Sequence, residues 1–190
     1  IKLRFNQNSG LYSEYDDLNE TYNHSMTLIE IIYNIMQQHW NGIDIEEDFP
    51  ISDSIMHSKG RNIKIFTNRQ NGFIYGGNEF NCGTWMDKMG HDGMPVISRH
   101  GANIEIITLL YSSLTWLSNL AKNKIIDSSY TKFGWEISAV EWAERIKENF
   151  EASFYNHFEH YYFDTLNSHY ELRPNFLIAM SIVRVFRFYF

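Results

Sequence analysis

Seven of the eleven glycines fall between Gly72 and Gly101, and the chain has only three prolines. Outside that segment the backbone has few residues that reverse direction at low cost, because glycine alone reaches positive φ without a steric penalty and proline presets turn geometry. A strand-rich fold with many tight turns is disfavoured by that scarcity. The expectation is an all-α scaffold broken by one long glycine-rich loop, with a short β-hairpin as the one exception. At 190 residues, 44% hydrophobic and 21% charged, the chain can bury a real core and is read as one domain.

Apolar spacing places the helices. Met26, Leu28, Ile29, Ile31, Ile32, Ile35 and Met36 form a wide apolar face and predict a helix from about Thr21 to Trp40, ended by Asn41-Gly42. The acidic run Asp44 to Asp48, followed by Pro50, reads as a solvated loop. Ile63 and Ile65 alternate with polar neighbours, and Phe73-Ile74-Tyr75 follows the turn signal Gln70-Asn71-Gly72, which is the hairpin. A second helix is expected from Ala102 or Asn103 to Leu120. A third starts with the Ser138-x-x-Glu141 capping box and runs to about Phe158, and a fourth carries Phe176 to Phe186 after Pro174. Long ordered loops on such scaffolds are where sites tend to sit, which directs attention to Gly76 through Gly101.

The net charge of -7 repels the phosphate backbone, and no basic stripe offsets it, so nucleic acid is not expected as a partner. Aromatic residues make up 16% of the chain, which suits a neutral polar ligand with apolar ring faces, such as a sugar. No stretch approaches the ~18 apolar residues of a membrane span, and Ile1-Lys2-Leu3-Arg4-Phe5 is not of signal-peptide type. A single cysteine, Cys82, forms no internal disulfide, and the expected compartment is cytoplasmic. Asn19-Glu20-Thr21 and Asn23-His24-Ser25 match the glycosylation pattern, which matters only in a secreted chain.

Asp87 is the first candidate for chemistry. It lies among Trp85, Met86, Lys88 and Met89, and a carboxyl group in largely apolar surroundings has its pKa raised, as a general acid near neutral pH requires. It can equally cap the next turn or pair with Lys88. Glu105, in the first turn of the second helix, either complements the helix dipole or faces a ligand and accepts hydrogen bonds from its hydroxyls. His157 and His160 stand three apart on the expected third helix, but a third metal ligand at fixed spacing is missing. Cys82, with no Cys-x-x-Cys partner, reads as a buried, inert thiol. No phosphate-cradling loop or dinucleotide fingerprint is present.

The run Gly76-Gly77-Asn78-Glu79-Phe80-Asn81-Cys82-Gly83-Thr84-Trp85-Met86-Asp87-Lys88-Met89-Gly90 resembles the signature loop of the C-terminal amylo-α-1,6-glucosidase domain of the glycogen debranching family. The resemblance extends, in the right order, through His39 to Ile43, Asn71 to Tyr75, Arg99 to Ile106 and Leu172 to Phe176. It implies a glucoamylase-like six-hairpin toroid, of which residues 1–190 would be the N-terminal part: a partial (α/α)6 barrel whose second half is absent. It further implies hydrolysis of the α-1,6-linked glucose at glycogen branch stubs, with inversion. The aspartate of Trp-Met-Asp, Asp87 here, is the implied general acid. Trp85 is the implied sugar-stacking face, and Glu105, Arg173 and Asn175 lie in motifs similar to those lining the sugar pocket. The implied partner is glycogen or a limit dextrin, with no cofactor.

An inverting hydrolase also needs a general base, with roughly 6.5–9.5 Å between the two carboxyl groups to seat a water. In the family that glutamate lies in a motif like Gln-Gly-Pro-Glu-Trp, which this chain lacks. The alternative is therefore a catalytically incomplete, glycogen-associated segment or pseudoenzyme. Other departures are Glu79, where the family usually has arginine, His100, where it usually has aspartate, and the stretch after Met180.

Overall fold

The computed structural model describes residues 26–46, 60, 62–81, 84–86, 88, 90–91, 94–167 and 171–183. Within them the helices are α1 (Leu28–Asn41), α2 (Ile104–Lys122), α3 (Ala139–Phe154) and α4 (Asn175–Ile182), with a 3-10 turn at Ser128–Thr131. The strands are β1 (Ile43–Glu46), β2 (Asn62–Thr67), β3 (Ile74–Gly76), β4 (Ala102–Asn103), β5 (Lys132–Phe133), β6 (Ile137–Ser138), β7 (Tyr155–Asn156), β8 (Tyr161–Tyr162) and β9 (Thr165–Leu166).

The expectation of an all-α chain, and with it a partial (α/α)6 barrel, is corrected: the architecture is mixed. β1, β2 and β3 form an antiparallel sheet in that order, and β4–β9, β5–β6 and β7–β8 form two-stranded antiparallel ladders. Scarce glycine misled the reading, because several turns use other residues in the left-handed region, namely Lys124, His160 and Asn167. The acidic stretch taken for a loop is partly β1. Ile43 and Ile45 alternate with Asp44 and Glu46, Ile43 faces Ile65 in register, and Lys64 pairs with Asp44 at 3.3 Å. The expected hairpin is present as β2–β3. Its turn closes through Gly72, whose φ is +76°, and Asn71 Oδ1 accepts from the Phe73 amide at 2.9 Å.

Both helix starts with an acid three residues in are capping boxes. Thr27 with Glu30 opens α1, the expected start at Thr21 lying outside the described residues, and Ser138 with Glu141 opens α3 as expected. The end of α3 is corrected as well. The chain leaves the helix at Phe154 and turns back through β7 and β8, with Asn156 Oδ1 accepting from the Phe158 and Glu159 amides. His157 and His160 therefore flank a hairpin turn instead of sharing a helix face. The His157 ring packs edge-on against Tyr155, and His160 Nδ1 lies 3.2 Å from the Tyr155 hydroxyl.

The core lies where α2 packs on α3 and α4. Ile104, Ile107, Leu114 and Leu117 of α2 and Trp142, Ile146, Phe150 and Phe154 of α3 are fully buried. Trp142 joins the layers: its ring meets Trp40 of α1 and Phe133 edge-on, and its indole N–H donates to the Gly72 carbonyl at 2.7 Å. No helix among the described residues is long and apolar enough to cross a membrane.

Candidate active site

The glycine-rich segment leaves the three-stranded sheet at β3 and re-enters the core at β4. Gly76 and Gly101 close its two ends by exchanging amide-to-carbonyl hydrogen bonds of 3.1 and 2.9 Å. Gly101 is required there, since its φ is +120° and a Cβ would stand 1.8 Å from the Leu166 carbonyl oxygen. This closure delivers Arg99 to the N-terminal end of α2, next to the β4–β9 ladder.

Arg99 is the centre of a buried charge network. Its guanidinium grips Glu105 bidentately, with Nη1 to Oε1 at 2.5 Å and Nη2 to Oε2 at 2.7 Å, and its Nε donates to Asp164 Oδ2 at 2.6 Å. All three side chains are about 98% shielded from solvent. Burial opposes the guanidinium charge, but the hydrogen bonds and charges of Glu105 and then Asp164 outweigh it and hold Arg99 above its ordinary pKa. Asp164 also accepts from Asn175 Nδ2 at 2.7 Å and from the Thr165 hydroxyl, and it faces Arg173 Nε at 3.7 Å. Arg173 is partly exposed and also bonds Glu171. The Asn103 amide ties the network to the backbone through the Arg99 carbonyl at 3.1 Å.

Trp85 sits at the edge of this network. Its indole N–H donates to Glu105 Oε1 at 3.0 Å while the residue stays 60% exposed. An aromatic face presented to solvent and fixed at its edge by a buried carboxylate is preorganised for a ligand with apolar ring faces. Met86 follows it, with its sulfur 3.4 Å from Asn175 Nδ2. Four of the residues singled out in the sequence, Trp85, Glu105, Arg173 and Asn175, thus meet on one network. The fifth, Asp87, lies outside the described residues, as does Cys82; the flanking backbone is tied down, with the Lys88 carbonyl accepting from the Val96 amide at 2.9 Å.

The network assigns Glu105 a supporting task. Both carboxylate oxygens serve Arg99, one of them also Trp85, and the side chain is shielded. Sequence reading missed Asp164 altogether, although it contacts Arg99, Thr165, Arg173 and Asn175. The one available signal was a lone acid within the aromatic run Tyr161-Tyr162-Phe163-Asp164. Among the described residues no group of three or more histidine, cysteine, aspartate or glutamate side chains could hold a metal ion.

Comparisons with known sequences identify the family. The family described as amylo-alpha-1,6-glucosidase matches residues 8–186. The glycogen debranching enzyme of Saccharomyces cerevisiae (strain ATCC 204508 / S288c) is 36% identical over 194 aligned residues, which cover 85% of this chain and 13% of that enzyme. The chain thus spans about an eighth of the length of the curated relative it matches. On the extent of the family match and the level of identity, the chain belongs to the amylo-alpha-1,6-glucosidase family.

Proposed function

We propose that this chain is the N-terminal part of a glucosidase domain, and that the protein carrying it hydrolyses the α-1,6-linked glucose at glycogen branch stubs in the cytoplasm, with inversion at the anomeric carbon. The observation that carries the reading is the meeting of Trp85, Glu105, Arg173 and Asn175 on one buried network, with the indole anchored and its face open. Asp87, two residues beyond that indole, acts as general acid. It gives its proton to the glycosidic oxygen as the bond to the anomeric carbon breaks. A water, deprotonated by a second carboxylate on the opposite face, adds to that carbon. The second carboxylate is supplied by another segment of the protein, since no motif of the family's base type occurs here. Trp85 offers the sugar its stacking face, and Arg173 and Asn175 complete the wall. Acid and base hydrolysis by two carboxylates requires no cofactor.

Glucose release from a branched limit dextrin by the full-length protein tests this, with the anomer followed by NMR immediately after cleavage. β-Glucose should appear first, and initial α-glucose would overturn inversion. Asp87→Asn should lower kcat by about 10²–10⁴, because an amide cannot supply the proton. A rate within tenfold of wild type would remove Asp87 from the acid role. Binding of limit dextrin with no release by the unaltered protein would favour the incomplete, glycogen-associated alternative.

A further inference from the structure

The geometry points to Asp164 as a positioning residue: through Arg99 it braces Glu105 against Trp85, and through Asn175 it holds Met86, so two consecutive residues of the glycine-rich segment are clamped to one buried carboxylate. The next residue along the chain is the proposed acid, Asp87, and that part of the inference rests on the function proposed above.

The two arms leave Asp164 from different oxygens. Oδ2 accepts from Arg99 Nε at 2.6 Å, and Oδ1 accepts from Asn175 Nδ2 at 2.7 Å. On the first arm, Arg99 Nη1 donates to Glu105 Oε1, the same oxygen that takes the Trp85 indole N–H at 3.0 Å. On the second, a carboxylate only accepts, so Asp164 holds the nitrogen end of the Asn175 amide toward itself. That nitrogen has a second hydrogen, and Met86 Sδ lies 3.4 Å away to receive it. Asp164 is itself fixed by its backbone, its amide donating to the Glu171 carbonyl at 3.1 Å and its carbonyl accepting from the Ile104 amide at 3.0 Å. Asp164, Arg99, Glu105 and Asn175 are buried, whereas Trp85 is exposed and Met86 half-buried. The fixed part of the clamp is therefore inside, and the residues it aims are at the surface, the order in which a supporting shell holds a site. Shielded from solvent, Asp164 acts through its partners. Both arms need an accepting oxygen, which a carboxylate supplies twice and an amide only once.

Asp164→Asn in the full-length protein tests this with two substrates. Limit dextrin has a leaving oxygen that needs a proton, whereas the fluoride of α-glucosyl fluoride leaves as the anion without one. Asp164→Asn should lower kcat on limit dextrin by about 10–100-fold, the scale of a misplacement of about 1 Å, and leave kcat on the fluoride within about threefold. Met86→Leu, a volume-conserving change that removes the sulfur acceptor, should show the same selectivity at about fivefold, and it gives the reading should Asp164→Asn fail to fold. Equal losses on the two substrates, or a limit dextrin rate within about twofold of the unaltered protein in the variant read, would overturn Asp164 as a positioning residue. The clamp is also read without turnover, from the ε-methyl NMR signal of Met86, identified by its absence from Met86→Leu. That signal should shift in Asp164→Asn, or in Asn175→Ala should the former fail to fold, and an unmoved signal would overturn the Asn175 arm. Glucose from neither substrate with the unaltered protein sinks the hydrolase reading alone, and the clamp then stands or falls on the methyl signal. Release with unselective losses sinks the positioning role alone.

Discussion

Arg99 does three jobs with one planar group: it neutralises Glu105, it neutralises Asp164, and through Glu105 it fixes the edge of Trp85. Replacing it by methionine leaves buried Glu105 with no cation and buried Asp164 with only the partly exposed Arg173 at 3.7 Å, and the expected loss of stability is about 3–5 kcal/mol, read from urea denaturation. Arg99→Lys should recover only part of that, because a single ammonium cannot form the bidentate grip on Glu105 while also reaching Asp164. Full recovery by lysine would show that charge alone, without fork geometry, holds the network. Trp85→Phe isolates the next link. It removes one partly buried hydrogen bond to a carboxylate that Arg99 still satisfies, so stability should fall by only about 0.5–1.5 kcal/mol. If Trp85 and Asp87 act as proposed above, KM for limit dextrin should rise by a larger factor than kcat falls, since the change alters the proposed stacking face and keeps the proposed acid. At this scale the motifs singled out Trp85 and Asn175, which the fold brings to the same buried network. No motif marks Asp164, whose place in that network comes from partners up to 65 positions away.

At the scale of the element, local chemistry wrote the helix starts and tertiary packing wrote one of the ends. Ser138 and Glu141 satisfy each other's amides, Ser138 Oγ accepting from the Glu141 N–H and Glu141 Oε2 accepting from the Ser138 N–H at 2.8 Å. Ser138→Ala should cost about 1 kcal/mol. The Glu141 carboxyl is held below its ordinary pKa by the Ser138 side-chain and backbone hydrogen bonds. A depressed folded-state pKa means the carboxylate's contribution is fully present above the unfolded value, near 4.5, and is lost as pH falls through the lower folded value. The stability gap between the unaltered chain and Glu141→Gln should therefore hold steady from pH 7 to about 5 and close on further acidification. A gap unchanged down to pH 2 would show that the carboxylate is not what the cap uses. No comparable local signal stops α3 at Phe154. The apolar spacing of its sequence continues, and what ends it is the ladder of Tyr155 with Tyr162 together with Phe150 tilted against the Tyr162 ring at 6.3 Å.

Across the whole molecule, α1, α2 and α3 were readable because each repeats an apolar face over several turns, and the short α4, apolar on nearly all sides, was marked by Pro174, whereas the two-residue ladders are too short to leave a periodic trace. Those ladders carry disproportionate weight, since β4–β9 brings Arg99, Asn103 and Glu105 against Asp164 and Thr165. Gly101 is the joint: one side of its backbone pairs with Gly76 of the sheet, and the other abuts the Leu166 carbonyl of β9. Comparison with Gly42 separates the two reasons for glycine there. Gly42 also has positive φ, +98°, but a Cβ on it would meet only the Ile65 carbonyl oxygen, at 3.4 Å. Gly42→Ala should thus cost only the backbone strain, about 1–3 kcal/mol. Gly101→Ala carries similar strain and adds a main-chain collision that side-chain movement cannot relieve, so a further 1–3 kcal/mol or so is expected as β4 and β9 part. Because that parting separates Arg99 from Asp164, Gly101→Ala should also weaken limit dextrin binding by the full-length protein, an effect Gly42→Ala should not share. Equal costs at the two glycines, or unchanged binding in Gly101→Ala, would mean that the ladder yields without disturbing the network, and that the site owes its geometry to α2 alone.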